Sequence, residues 1–234
     1  MMGGYFYGID PYYLVLVLPT FAFALYAQFR VKGTFNKYRS VTNSRGITGA
    51  QIARSILDSN GLYDISVERV SGQLTDHYDP RKKVIKLSDP VYSSISVASI
   101  GIAAHETGHA LQHKEKYGPL ILRSTLVPVA GIGSSIGPYM AIFGLLFNSG
   151  ILINLGIILF AVAVIFYLVT LPVEFNASKR AVAALQTGGI LSSYEIEPAK
   201  KVLNAAAMTY VASAAVAIAS LLRLILLASG RRRE

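Results

Sequence analysis

The sequence contains one stretch whose residue types and spacing could hold a metal ion, His105-Glu106-Thr107-Gly108-His109. Residues four apart on an α-helix share one face, with Cβ atoms about 5–6 Å apart. The imidazoles of His105 and His109 could therefore bind one ion. Glu106 would lie one step round the helix, where its carboxylate could take a proton from a water molecule beside the metal. This H-E-x-x-H pattern is typical of a hydrolytic zinc site.

A zinc site of this kind needs a third protein ligand and an open position for water. The chain has no cysteine, so the third ligand can only be His, Asp or Glu. Glu174 is the strongest candidate, because it ends a long uncharged segment and a carboxylate there is costly unless it is paired or metal-bound. The alternative is a solvated Glu174 that pairs with Lys179 or Arg180. His77, on a predicted strand, is a second candidate ligand.

The competing interpretation of the motif is two core histidines and a glutamate on a helix face. Burying three ionisable groups in so apolar a helix would be costly without a partner, and a metal ion removes that cost. His113 continues the spacing, but it lies eight residues from His105, about 12 Å along a helix axis. We therefore expect His113 to be a surface or interface residue.

The composition indicates a membrane protein. The chain is 53% hydrophobic and 15% charged, with a mean hydropathy of +0.46, whereas about a quarter of the residues of a soluble domain are charged. The net charge of +9 does not predict nucleic-acid binding, because the basic residues lie beside apolar segments, as the positive-inside rule explains. We expect the lipid bilayer to be a partner and nucleic acid not to be one.

Three segments lack charged residues, namely 11–29, 124–173 and 202–222. The middle segment has 50 residues, which is enough for two spans that turn at Asn148-Ser149-Gly150. Segment 11–29 could be a cleaved signal peptide, but no basic residue precedes it and no small-residue cleavage site follows it, so we interpret it as a retained helix. The sequence therefore predicts about four transmembrane helices.

The basic residues predict the orientation in the membrane. Residues 1–10 contain no Lys or Arg, whereas five basic residues follow the first segment: Arg30, Lys32, Lys37, Arg39 and Arg45. This asymmetry places the N-terminus outside and the basic loop in the cytoplasm. Four crossings would place the tail Arg231-Arg232-Arg233 outside, against the same rule. Either the last segment does not cross fully or the first loop outweighs the tail, and we expect the second.

The polar part of the chain predicts a small α+β domain. A T-x-x-Q capping box at Thr48 and Gln51 starts a helix, and strands are predicted at about 65–70, 74–79 and 82–87. One helix, from about residue 95 to Lys114, carries the motif and is apolar nearly all round before the histidines, which is typical of a buried helix.

The expected fold class is a mainly α membrane protein, with about four transmembrane helices plus a small α+β zincin-like catalytic domain with a short sheet. We divide the chain into five parts: an N-terminal transmembrane helix (1–30), a cytoplasmic zincin-like part with the motif helix (31–118), a transmembrane helical hairpin (119–173), helices that carry the third zinc ligand (174–201), and a C-terminal transmembrane helix with a basic tail (202–234).

The motif belongs to a longer string, HETGHALQH, with LTDHYDP before it and LPVEFNASKRA after it. Together with YAQFRVKGTFNKY and VLNAAAMTYVA, these strings closely resemble the YugP-like neutral zinc metallopeptidases of bacterial membranes over nearly the whole chain. The resemblance implies a membrane-integrated gluzincin that binds Zn²⁺ through His105, His109 and Glu174, with Glu106 as catalytic base. The sequence is more distantly similar to HtpX-like membrane peptidases, which carry Asp four residues after the glutamate ligand. Ser178 stands there in this chain and is the candidate to orient a ligand histidine.

The expected function is therefore a zinc metalloendopeptidase of the bacterial cell membrane, with its active site facing the cytoplasm and a role in membrane protein quality control. Its partners would be protein or peptide substrates and members of a membrane protease complex. His77, Tyr78 and Arg180 are candidates for oxyanion or substrate binding, and strand 74–79 is either an edge to which a peptide adds or an ordinary sheet strand. The alternative is a zinc-containing membrane scaffold or adaptor without proteolytic activity. Ion transport is disfavoured, since the membrane segments lack charges.

Overall fold

The structure is a computed structural model that describes residues 10–231. A π-helical turn at Tyr13–Val17 leads into the first of the α-helices. The elements then follow in the order α1 (Leu18–Tyr38), α2 (Gly49–Ser59), β1 (Ser66–Val70), β2 (His77–Asp79), β3 (Val84–Ser88), α3 (Asp89–Tyr92), α4 (Val97–Lys114), α5 (Gly118–Leu146), α6 (Gly150–Thr187) and α7 (Ser193–Arg231).

Within the described residues, four helical segments are long and apolar enough to cross a membrane, which confirms the expected number. They are Tyr13–Tyr38, Gly118–Leu146, Gly150–Thr187 and Ser193–Gly230. Helix α7 continues to Arg231 without a break, so the last apolar segment is part of one long helix. Arg232 and Arg233 of the predicted basic tail, and the N-terminal residues 1–9, lie outside the described residues.

Helix α6 is longer than the sequence indicated. We expected one segment to end at residue 173 and another to begin there, but the structure has a single helix from Gly150 to Thr187 with Pro172 inside it. The change at Glu174 is a change of polarity only, and no glycine or turn signal accompanies it. The helix ends where such a signal occurs, before Gly189 with its φ of +56°. Glu174 is consequently held within a continuous helix.

The described residues form two compact units, and the five-part division of the chain stays a prediction. The apolar unit comprises the described residues up to Gln28, Leu122–Leu171 and those from Thr209 onwards. Its helices α5 and α6 pack closely at Gly133 and Gly137, where the absence of a side chain lets the backbones approach. A Cβ atom at either position would collide with the α6 backbone. Buried side chains of α5, α6 and α7 form its core: Ala141, Phe160, Ala163 and Leu224.

The polar unit comprises Phe29–Ile121 and Pro172–Met208 and contains the short sheet. The strand order is β1-β3-β2, with β1 parallel and β2 antiparallel to β3, so β2 is an edge strand. Strand β2 starts at His77 rather than at residue 74, because Leu74 has a φ of +58° and cannot continue an extended strand. Before β2, the Asp76 carboxylate accepts hydrogen bonds from the backbone and hydroxyl of Ser88.

Helix α4 lies in the core of the polar unit, as its apolar sequence predicted. The predicted capping box at Thr48 and Gln51 is present at the start of α2, which packs against α4. Residues of α4, α2 and the sheet also form a second buried cluster, in which Leu57, Ile85 and Leu87 are fully buried. The packing holds the histidine-bearing turns of α4 in a fixed orientation.

Candidate metal centre

Helices α4 and α6 bring together the two histidines of the motif and the predicted third ligand. The Nε2 atom of His105 lies 3.2 Å from Oε2 of Glu174, and Nε2 of His109 lies 3.6 Å from the same oxygen. One ligand atom from each residue lies within 4.8 Å of the other two. The two imidazole rings lie edge to face, with their centroids 4.8 Å apart.

A close approach between α4 and α6 makes this convergence possible. A Cβ atom on Gly108 would lie 2.5 Å from the backbone oxygen of Ala177, which is far inside van der Waals contact. Gly108 lies inside the motif and Ala177 is three residues after Glu174, so the contact is one helical turn or less from all three ligand groups. The glycine thus lets the two backbones approach until Glu174 reaches the histidines.

The centre is largely shielded from water. Glu174 is 2% exposed and Glu106 is 8% exposed, whereas the side chains of His105 and His109 are 14% and 11% exposed. Burial raises the pKa of Glu106 above its usual value, although the neighbouring His105 and His109 oppose the shift. Burial by itself lowers the pKa of His109, but the close Glu174 carboxylate and the charge of Glu106 raise it above its usual value. The carboxylates of Glu174 and Glu106 thus favour a positive charge beside them, on His109 or on a bound cation.

Each ligand histidine has a second partner on its other ring nitrogen. His105 Nδ1 lies 3.1 Å from the hydroxyl oxygen of Ser178. His109 Nδ1 lies 3.0 Å from the side-chain oxygen of Gln112. Such outer contacts fix the orientation and tautomer of a ligand imidazole. Gln112 was missed in the sequence, although a buried amide three residues after His109 on an apolar helix is a usable signal.

The other predicted site residues lie outside the three-residue cluster. His77 is exposed, and its Nδ1 lies 2.8 Å from the backbone oxygen of Thr75. The Tyr78 hydroxyl lies 2.9 Å from Nδ1 of His113, and burial raises the pKa of Tyr78 to about 12. His113 itself is exposed, which confirms the surface position expected for it. His77 is absent from the cluster of potential metal ligands found among the described residues.

Arg180 contacts two other side chains, Asn176 and Glu115. Its Nε donates to Asn176 Oδ1 at 2.7 Å, and its Nη1 contacts Glu115 Oε1 at 2.7 Å. The alternative of a solvated Glu174 is wrong, because this carboxylate is buried beside the two histidines.

The donor set fits a zinc ion. Two imidazoles and one carboxylate are the His₂Glu ligands of one class of catalytic zinc sites, in which the fourth position is open. A buried carboxylate of this kind is costly unless a cation or several hydrogen bonds compensate for its lost hydration. The contacts of Ser178 and Gln112 at the Nδ1 atoms leave both Nε2 atoms, which lie on the side of Glu174, available to an ion. The residues present could therefore hold a divalent metal.

Comparison with known proteins agrees with the geometry. Residues 13–229 match the family described as "Putative neutral zinc metallopeptidase". The chain is 49% identical to the protein named "Putative membrane protease YugP" of Bacillus subtilis (strain 168) over 222 residues, which is 95% of this chain and 99% of the relative. No solved structure matches the chain. The resemblance noted in the sequence is confirmed, and this membrane protein belongs to the neutral zinc metallopeptidase family.

Proposed function

We propose that the protein is a membrane-integrated zinc metalloendopeptidase of the gluzincin type. His105, His109 and Glu174 would hold the zinc ion, and Glu106 would act as general base. The observation that carries the proposal is the convergence of three ligand atoms within 4.8 Å, with Glu106 buried beside them on α4. When bound, zinc would polarise the peptide carbonyl and lower the pKa of a water molecule towards about 7.

Glu106 is suited to moving the proton in this reaction. A general base works best when its pKa lies near the working pH, and burial moves the pKa of Glu106 upwards in that direction. In our proposal Glu106 takes a proton from the attacking water and delivers it to the leaving amine. The carboxylates thereby have two roles, since Glu174 binds the metal and Glu106 carries the proton.

An extended peptide could bind along β2. Among the described residues this strand pairs only with β3, so its outer edge can accept backbone hydrogen bonds from an added strand. Strand β2 packs against α4, which carries the two proposed histidine ligands. Tyr78 and Arg180 already contact His113 and Glu115, so we assign them to the frame around the site. His77 on β2 is the remaining candidate for contact with the substrate or the oxyanion.

We also propose that the protein lies in the bacterial cell membrane with its active site facing the cytoplasm. The basic residues after the first helix support this orientation. An even number of crossings places the start of the first helix and the later part of α7 on one side. In agreement, the Arg223 side chain of α7 contacts Asp10 at 2.6 Å within the apolar unit. A role in membrane protein quality control, with partners in a protease complex, is part of the proposal.

The test uses the detergent-purified protein with a casein-like substrate. Glu106→Gln should retain bound zinc and lose cleavage, because the amide cannot take a proton, whereas His109→Ala should lose both. Normal cleavage by Glu106→Gln would contradict the mechanism. Peptides trapped in cells by the same variant would identify natural substrates. Recovery of no membrane-protein fragments would count against the quality-control role.

A further inference from the structure

Gln112 is a fully buried polar side chain that contacts both helices of the metal centre. Its relative exposure is 0%. Its Nε2 donates to the backbone oxygen of Val173 at 2.8 Å and to Oδ1 of Asn176 at 2.9 Å, both on α6. Its Oε1 lies 3.0 Å from Nδ1 of His109 on α4. All the hydrogen-bonding groups of the amide except one lone pair are therefore engaged.

The contacts leave only one orientation of this amide. A backbone carbonyl can only accept, so the side of Gln112 that faces Val173 must be the NH₂ group. The amide oxygen is then the atom that faces His109. Because that oxygen can only accept, the hydrogen bond requires the proton of His109 to be on Nδ1. The Nε2 atom of His109, on the side of Glu174, is left free of a proton when the ring is neutral.

The acceptor on the far side of Gln112 is fixed in the same way. Oδ1 of Asn176 also accepts from Nε of Arg180, and a guanidinium group can only donate. Arg180 in turn pairs with Glu115 at the protein surface. The donor and acceptor of each hydrogen bond from Glu115 to His109 are therefore determined. One continuous row of hydrogen bonds joins the protein surface to a proposed metal ligand.

The position of Val173 gives the contact a second consequence. Val173 immediately precedes Glu174, so the hydrogen bond from Gln112 ties α4 to the turn of α6 that carries the third ligand. One side chain thus contacts a ligand histidine and the backbone beside the ligand carboxylate. Ser178 makes the corresponding contact with the Nδ1 atom of His105.

We infer that Gln112 is a positioning residue of the zinc site: it holds His109 in the Nδ1–H tautomer, which leaves Nε2 free to bind the metal. The inference rests on the proposed zinc function and assigns to Gln112 a role of its own. Loss of an outer hydrogen-bond partner of a metal ligand lowers metal affinity about 10–100-fold.

Two variants separate the histidine contact from the tie between helices. Gln112→Met has a similar shape and removes all three hydrogen bonds. Gln112→Glu also removes the two donated bonds to α6 when ionised, but it restores an acceptor for His109. We expect zinc affinity, measured by competition with a chromophoric chelator, to fall about 10–100-fold in Gln112→Met and to recover largely in Gln112→Glu. Unfolding temperatures of the metal-free proteins should fall in both variants, because both lose the bonds to Val173 and Asn176.

The outcomes distinguish the inference from the proposed function. If the wild-type protein binds no zinc, the proposed function fails. If the wild type binds zinc and Gln112→Met binds it equally well, or if Gln112→Glu is as weak as Gln112→Met, the positioning role is wrong and Gln112 only ties the helices together.

A second measurement needs no variant. The chain has four histidines, so ¹⁵N spectra of the histidine-labelled, zinc-loaded protein should resolve each ring. We expect an Nδ1–H proton on His109 that exchanges slowly with water. A ring coordinated through Nδ1 with its proton on Nε2 would overturn the inference even if neither variant folds.

Discussion

Gly108→Ala should separate the two helices that build the metal site. The new Cβ atom would start 2.5 Å from the Ala177 oxygen, and an ordinary contact needs 3.4 Å, so the backbones must move apart by about 0.9 Å. Glu174 lies on the same helix as Ala177 and would move with it. A misplacement of about 1 Å can lower an enzymatic rate about 100-fold. We therefore expect kcat/KM to fall by about that factor, together with a loss of zinc affinity.

The effect on stability is smaller, because two contributions oppose each other. Overpacking a core costs about 1–3 kcal/mol, whereas alanine in place of glycine stabilises a helix interior by about 1 kcal/mol. The net destabilisation should be about 0–2 kcal/mol, so the variant should fold and its zinc content can be measured. The assay is peptide cleavage and zinc binding in detergent, with unfolding temperature as the check on folding.

Gly101→Ala is the matched control on the same helix. A Cβ atom there would lie 3.4 Å from the Ala199 Cβ, which is an ordinary contact. We expect unchanged cleavage and up to about 1 kcal/mol of added stability from helix propensity. If Gly108→Ala cleaves and binds zinc like the wild type, the close approach of α4 and α6 does not set the geometry of the site.

Three further predictions concern single carboxylates. Glu174→Ala should abolish zinc binding while His77→Ala retains it, as measured by metal analysis of the purified proteins; the reverse result would make His77 the third ligand. Burial raises the pKa of Asp76 above 3.8, so the folded chain binds this proton more tightly than the unfolded chain, and stability should fall as pH rises above about 4. Asp76→Asn should flatten that slope in thermal unfolding; an unchanged slope would contradict the assignment. Asp10→Asn should cost about 3–5 kcal/mol in unfolding by leaving Arg223 without its buried ion pair to Asp10, and a wild-type unfolding temperature would refute this.

Several local features could be predicted because neighbouring residues determine them. The capping box of α2 depends on Thr48 and Gln51 alone, and the periodicity of the chain before Lys114 was sufficient to place the motif on a buried helix. Ser178 was identified through the resemblance to HtpX-like peptidases, which carry Asp at this position, and its hydroxyl lies 3.1 Å from Nδ1 of His105.

Other features depend on contacts between distant parts of the chain. The left-handed conformation of Leu74 shortens β2, and nothing in the residue type indicates it. The change of polarity at Glu174 resembled a helix boundary. The backbone of α6 nevertheless continues, because no glycine or turn-forming residue follows Glu174 directly. Gln112 contacts residues 61 and 64 positions away, and a sequence pattern within α4 does not show these partners.

The sequence alone determined which groups could bind a metal and carry a proton, since helical spacing by itself places His105 and His109 on one face beside Glu106. It also determined the membrane segments, because hydropathy is a property of composition. Only the tertiary structure decided that Glu174 reaches both histidines, since this requires the backbone approach at Gly108. Long-range packing also decided the tautomer of His109, because its partner Gln112 is held in place by a second helix.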